Sequence, residues 1–156
     1  MLFDKVIKGQ DPEVLEKNGY TPQEGCCRFC GQIRAIFPMD GTKWNQDDLD
    51  ECASEMCGCN SSFIYREKKA QKERAATLIR LKFGQDANNP DDPDSLIPEP
   101  CKVTAILGYL AEAAVDGIIC KASVKITPTI KADIIMTASE KIKIEKTVTH
   151  KDSDEA

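Results

Sequence analysis

Histidine is almost missing from this chain. His150 is the only one, and it stands in a polar C-terminal segment, which leaves little room for catalysis that depends on imidazole. No apolar run approaches the roughly 20 residues that span a bilayer, which predicts a chain without a membrane helix. The opening Met1-Leu2-Phe3-Asp4-Lys5 has neither a long apolar stretch nor a small-residue cleavage site, so a cytoplasmic location is expected, in the host cell if the chain is phage-encoded. An excess of positive charge is also lacking. The formal net charge of −5 argues against a uniformly basic nucleic-acid coat, although a local basic face is compatible with it. Enzyme signatures are missing too: there is no phosphate-cradling Gly-rich loop, no His-containing zinc motif and no nucleophile elbow. The expectation is a non-enzymatic protein.

What the chain does have is cysteine, eight in 156 residues. Disulfides rarely persist in a reducing compartment, so clustered thiols there point to metal. Cys27-Arg28-Phe29-Cys30-Gly31 has the form of a zinc knuckle: two thiolates two residues apart grip one ion from a tight turn, and the glycine lets the chain reverse where backbone amides face sulfur. A second pair, Cys57-Gly58-Cys59, follows 27 residues after Cys30, with a glycine spacer that eases a cramped backbone. Two pairs supply the four sulfurs of a closed tetrahedral site, which predicts structural zinc held by Cys27, Cys30, Cys57 and Cys59.

Alternatives stand beside this reading. Cys26 competes with Cys27 but lacks the two-residue spacing to Cys30. Cys52 falls on the apolar stripe of a helix and reads as core. All six thiols could simply be buried side chains. A redox role for Cys27 and Cys30 lacks the strand-to-helix setting such motifs use. Cys101 is isolated, and Cys120 reads as a core residue of a strand.

The metal would have a physical purpose. Between residues 20 and 60 large apolar residues are few, among them Phe29, Ile33, Ile36, Phe37, Trp44, Leu49 and Met56. That core is too small to offset the entropy of ordering the segment. Zinc in small peptide sites contributes on the order of 10 kcal/mol or more.

Local signals outline the rest. Asp11 and Pro12 open a short helix that exits at Gly19, and Thr21-Pro22-Gln23-Glu24-Gly25 reads as a turn. Asn45, with Asp48 three residues on, caps an acidic helix whose stripe is Leu49, Cys52, Ala53 and Met56. Asp47, Asp48 and Asp50 match no calcium loop, so they read as a negatively charged helix start. A long helix is expected from about Ser62 to Phe83, roughly 33 Å at 1.5 Å per residue. From Arg66 to Lys82 it carries seven Lys or Arg against Glu67 and Glu73, a local net of +5. Arg66, Lys68, Lys69, Lys72 and Arg74 are candidates to follow a phosphate backbone. The plainer reading of such a run is a solvated helix face. Trp44 and Phe29 could stack on a base, or belong to the core of the zinc unit.

Residues 84–100, acidic and Pro-containing, read as a linker. Val103, Leu107, Leu110 and Ala114 then keep a helical stripe that stops at Gly117. After Gly117 the period changes to two: Cys120–Ile126, Ile130–Met136 and Ile142–Ile144 alternate with lysines and acids, as three antiparallel strands with one wet face would. The expected fold is α+β. A mostly helical zinc-binding unit (1–60) and a long basic helix (61–83) precede the linker. A helix packed on a three-stranded antiparallel sheet (101–148) and a polar tail (149–156) follow it. So small a C-terminal unit buries little and would dimerise or dock on the first.

Cys27-Arg28-Phe29-Cys30-Gly31-Gln32, then Ala53-Ser54-Glu55-Met56-Cys57-Gly58-Cys59 and a Lys-rich helix, resembles small zinc-binding proteins of phages and prophages of Gram-positive bacteria. The ending Lys141-Ile142-Lys143-Ile144-Glu145-Lys146, after an Ile-Lys-Ala segment at Ile130, looks like their C-terminal halves. The resemblance implies a phage or mobile-element setting and the same four ligands, but no activity. Cys26 and Cys52 depart from its pattern. Two partners are therefore in view: nucleic acid, reached by the basic helix, and a host protein of the defence or transcription machinery, met by the acidic surface or a sheet edge.

Overall fold

The computed structural model describes residues 2–150, so the last part of the tail expected at 149–156 lies outside the described residues. The chain forms two compact units, Met1–Glu67 and Lys68–Ala156. The expected linker at 84–100 does not mark that boundary.

In the first unit, α1 (Pro12–Lys17) starts as its cap predicts: Asp11 Oδ1 accepts the Glu13 amide at 2.9 Å. The following stretch, expected as a turn, instead enters β1 (Gln23–Cys26), which pairs antiparallel with β2 (Ile33–Ile36), Cys26 opposite Ile33. Four-residue strands this short escape a period-two reading. Then α2 (Gln46–Met56) begins at Asn45, whose side chain accepts the Asp48 amide at 2.8 Å. Val6, Ile36, Leu49, Cys52 and Ala53 form the small core, with Trp44 packed against it.

Gly25 makes that core possible. A Cβ there would lie 2.2 Å from the Leu49 carbonyl oxygen and 2.7 Å from Ile36 Cδ1, so β1 meets α2 nearly backbone to backbone.

Helix α3 (Asn60–Phe83) is 24 residues long. Its C-terminal half is not a free spacer: Ala75, Ile79 and Phe83 are buried in the core of the second unit. The 84–100 segment belongs there as well. Ile97 is 3% exposed within that core, and the Asn88 side chain brackets it, accepting the Ile97 amide at 2.8 Å and donating to the Ile97 carbonyl at 3.2 Å. A buried isoleucine and an asparagine bridge help to fasten a stretch whose composition reads as a tether.

The rest follows the period change. Helix α4 (Pro100–Val115) buries Leu107, Ala111 and Ala114, and Gly117 exits with φ 79°. Strands β3 (Lys121–Lys125), β4 (Ile130–Met136) and β5 (Ile142–Val148) form an antiparallel sheet in that order. Ile130, Ala132, Ile134 and Ile144 face the core. The architecture is α+β, with a helix packed on the three-stranded sheet. Cys120, expected inside the first strand's core face, is exposed and precedes β3. No helix among the described residues is long and apolar enough to cross a membrane.

Candidate metal centre

The β1–β2 hairpin makes the first half of the site. The Cys27 amide donates to the Gln32 carbonyl at 2.9 Å, and the Gly31 amide donates to the Cys27 carbonyl at 2.8 Å, closing a tight turn. Gly31 has φ 75°, the left-handed backbone for which glycine has no steric penalty. Backbone amides of Phe29 and Cys30 point at Cys27 sulfur. A knuckle of this kind supplies fixed positive dipoles to thiolates.

The second half comes from the junction of two helices. Cys57 is the C-cap of α2, and the Cys59 carbonyl accepts the Phe63 amide at 3.0 Å, just ahead of α3. A thiolate there sits at the positive end of α3's peptide dipoles. The reason expected for Gly58 does not hold: its φ is not left-handed, and an added Cβ would meet nothing within 4 Å.

The halves meet. Cys30 Sγ lies 3.4 Å from Cys57 Sγ, and Cys27 Sγ lies 4.0 Å from Cys59 Sγ. All four sulfurs fall within 4.8 Å of one another. A disulfide needs about 2.05 Å, so these are not cystines. Four sulfurs each about 2.3 Å from one ion would stand about 3.8 Å apart, a value the two measured separations bracket. The donor set therefore fits a structural metal ion with tetrahedral thiolate coordination, which leaves no position for water.

The remaining thiols resolve as well. Cys26 stays outside the cluster, its Sγ 3.9 Å from the Cys27 carbonyl, while Cys52 is wholly buried in the small core.

Electrostatics agree with that donor set. Burial pushes the Cys27 thiol up, but the Phe29 and Cys30 amides and the neighbouring thiols outweigh it and bring it to about 6. The amide of Gln32 works to lower Cys30, yet Cys57, burial, Cys27 and Cys59 push it up to about 12. Cys57 is lowered, chiefly by the Cys59 amide. One sulfur in the set ionises readily and another resists, because like charges crowd. A divalent cation would relieve that repulsion.

Sequence reasoning missed the frame around the sulfurs. The two residues between the knuckle cysteines are fasteners. Arg28 Nη1 donates to Glu51 Oε2 at 2.8 Å and Nη2 to the Asp47 carbonyl at 2.9 Å. Phe29, 44% exposed, stacks at a tilt on Tyr65 with centroids 5.3 Å apart, and Tyr65 in turn donates to Glu51. Trp44 packs on the small core instead. The Arg28 amide donates to the buried Ser54 hydroxyl at 3.0 Å, and Asp50 Oδ1 accepts the Cys26 amide at 2.8 Å. Ser62 Oγ is buried between the carbonyls of Ser54 and Cys57. A serine one turn from a cysteine ligand is the only hint the sequence offers for such a brace.

The five basic candidates part company. Arg66 Nη1 donates to the carbonyls of Glu55 (2.7 Å) and Cys57 (2.6 Å), bracing the four-cysteine cluster. Lys72 pairs with Asp116 Oδ2 at 2.8 Å. Lys68 and Arg74 are exposed, and Lys69 is half-buried. Asp47 and Asp48 lie in the first turn of α2, where helix dipoles favour negative charge.

Comparison with protein-family models, with curated proteins and with solved structures gives no match. Fold and site thus define an α+β protein with a four-cysteine centre suited to a structural metal.

Proposed function

We propose that the protein is a zinc-stabilised binding module rather than an enzyme, contacting nucleic acid through α3. The observation that carries this reading is the convergence of Cys27, Cys30, Cys57 and Cys59 sulfurs within 4.8 Å. Four thiolates favour zinc over hard ions such as magnesium and calcium, and they close the coordination shell to substrate and water. The ion's work is then to hold the hairpin against the junction of α2 and α3. The partner class follows from charge. Exposed Lys68 and Arg74 offer an ammonium and a guanidinium group to phosphates. Arg66 and Lys72 are already engaged within the protein, so the footprint is narrow. The phage or mobile-element setting implied by the sequence resemblance belongs to the same proposal.

Retention of the zinc-loaded protein on DNA and RNA columns tests it. Binding should weaken with salt, and Lys68→Ala with Arg74→Ala should lower the slope of log affinity against log salt by about 2. Absence of binding at low salt would sink it.

A second reading has its own support. Phe63 and Ile64, at the start of α3, are 55% and 48% exposed, and neighbouring large apolar side chains in water favour a protein partner. That partner would be a host protein of the defence or transcription machinery. A capture from host lysate that survives nuclease, and fails with Phe63→Ser, would select this reading over the first.

A further inference from the structure

The sole histidine, which has no part in the cysteine centre, sits opposite two carboxylates. His150 Nδ1 lies 3.7 Å from Asp94 Oδ2 and 3.9 Å from Asp92 Oδ1, and the three ligand atoms fall within 4.8 Å of one another. Two chain segments more than fifty residues apart meet here. Asp92 precedes a 3-10 turn (Pro93–Ser95), Asp94 lies within it, and His150 follows β5. Backbone and hydroxyl bonds fix the approach: the Thr149 amide donates to the Thr129 carbonyl at 2.8 Å, and the Thr129 hydroxyl donates to the Asp94 carbonyl at 2.8 Å.

These distances are informative. They exceed the range of a direct nitrogen–oxygen hydrogen bond. Ligand atoms sharing one first-row ion at about 2.0–2.2 Å stand about 3.0–3.5 Å apart, which small rotations of these partly exposed side chains would reach. Two carboxylates held this close also repel each other. Lys146 is close enough to feel the charge of Asp92, but it carries no ligand atom for an ion. An imidazole with two carboxylates suits zinc or manganese better than calcium.

We propose that Asp92, Asp94 and His150 form a second divalent-metal site, of open nitrogen–oxygen type, that joins the 92–94 turn to the end of β5. Three protein ligands leave room for water, unlike the closed cysteine centre. The site belongs wholly to the second unit and is independent of the nucleic-acid reading.

The test exploits ligand softness. Manganese is the weakest binder of the first-row series and does not compete for thiolate-bound zinc. Added to the zinc-loaded full chain, Mn2+ should broaden amide signals of Asp92, Asp94, Ser95, Thr129, Thr149 and His150 and leave those of the hairpin sharp. Zinc titration should show a second equivalent beyond the thiolate-bound one. His150→Ala, an exposed position, should weaken both effects by roughly tenfold or more, and Asp92→Asn with Asp94→Asn should do the same. Uniform or absent broadening, or an unchanged response in His150→Ala, would overturn the proposal.

Discussion

Arg66 Nη1 stands 2.6 Å from the carbonyl oxygen of Cys57, so a guanidinium on the long basic helix braces the backbone of one of the four clustered cysteines. The same nitrogen reaches the Glu55 carbonyl and lies 3.2 Å from Ser62 Oγ, which itself touches Cys57. Arg66→Ala should therefore weaken metal affinity by roughly tenfold to a hundredfold, the usual effect of removing a group that orients a ligand. Competition with a coloured chelator reads this directly. Arg66→Lys should restore part of that affinity, because both carbonyls meet one guanidinium nitrogen and an ammonium carries three donors on a slightly shorter stem.

Removing the metal should act on one unit and spare the other. The first unit's core is five buried residues with Trp44, whereas the second has eleven of its own. On chelation, amide signals of β1, β2 and α2 should collapse while those of β3, β4 and β5 persist. Cys30→Ser or Cys57→Ser should have the same effect without chelator. Unchanged hairpin signals in metal-free protein would refute a structural role for the ion.

Two glycines should fail for different reasons. Gly25→Ala places a Cβ against the Leu49 backbone, a clash that neither element can avoid, so stability of the first unit should fall by about 3 kcal/mol. Gly31→Ala meets open space, and only its φ of 75° is penalised, at about 1–2 kcal/mol. Chemical denaturation of the zinc-loaded variants should rank them in that order.

Buried Ser54 both accepts the Arg28 amide and donates to the Asp50 carbonyl at 2.7 Å. Ser54→Ala leaves that amide without its partner at no gain in packing. A loss of about 1–2 kcal/mol is expected, read by denaturation at saturating zinc.

Acid should expose Asp133. The Ser123 hydroxyl, then Lys131, hold its carboxyl below the ordinary value of 3.8. A carboxyl depressed in the folded state stabilises it above the unfolded value, and that contribution disappears as pH falls through the folded value. Urea unfolding of the sheet should thus steepen in pH dependence below about pH 4, and Asp133→Asn should flatten that limb.

Much of this protein was legible before any coordinate. Caps at Asp11 and Asn45 opened helices where their side chains could accept free amides, because capping is a local bond within three residues. Alternation after Gly117 placed β4 and β5, since a half-wet sheet imposes period two. Cysteine spacing selected the four sulfurs, because a tight knuckle is itself a short-range object. Other features depended on distant partners. The strands β1 and β2 are too short to show a period, and Gly25 matters only because Leu49 lies against it. Ile97, in a stretch rich in aspartate and proline, is core because Asn88 pins it. Arg66 and Lys72 looked like one charged face, yet each found its own acceptor, a carbonyl and a carboxylate, on another element. His150 met Asp92 and Asp94 only through the sheet. Local chain chemistry settled where the capped helices begin and which sulfurs can chelate; long-range packing decided which polar groups became braces within the protein.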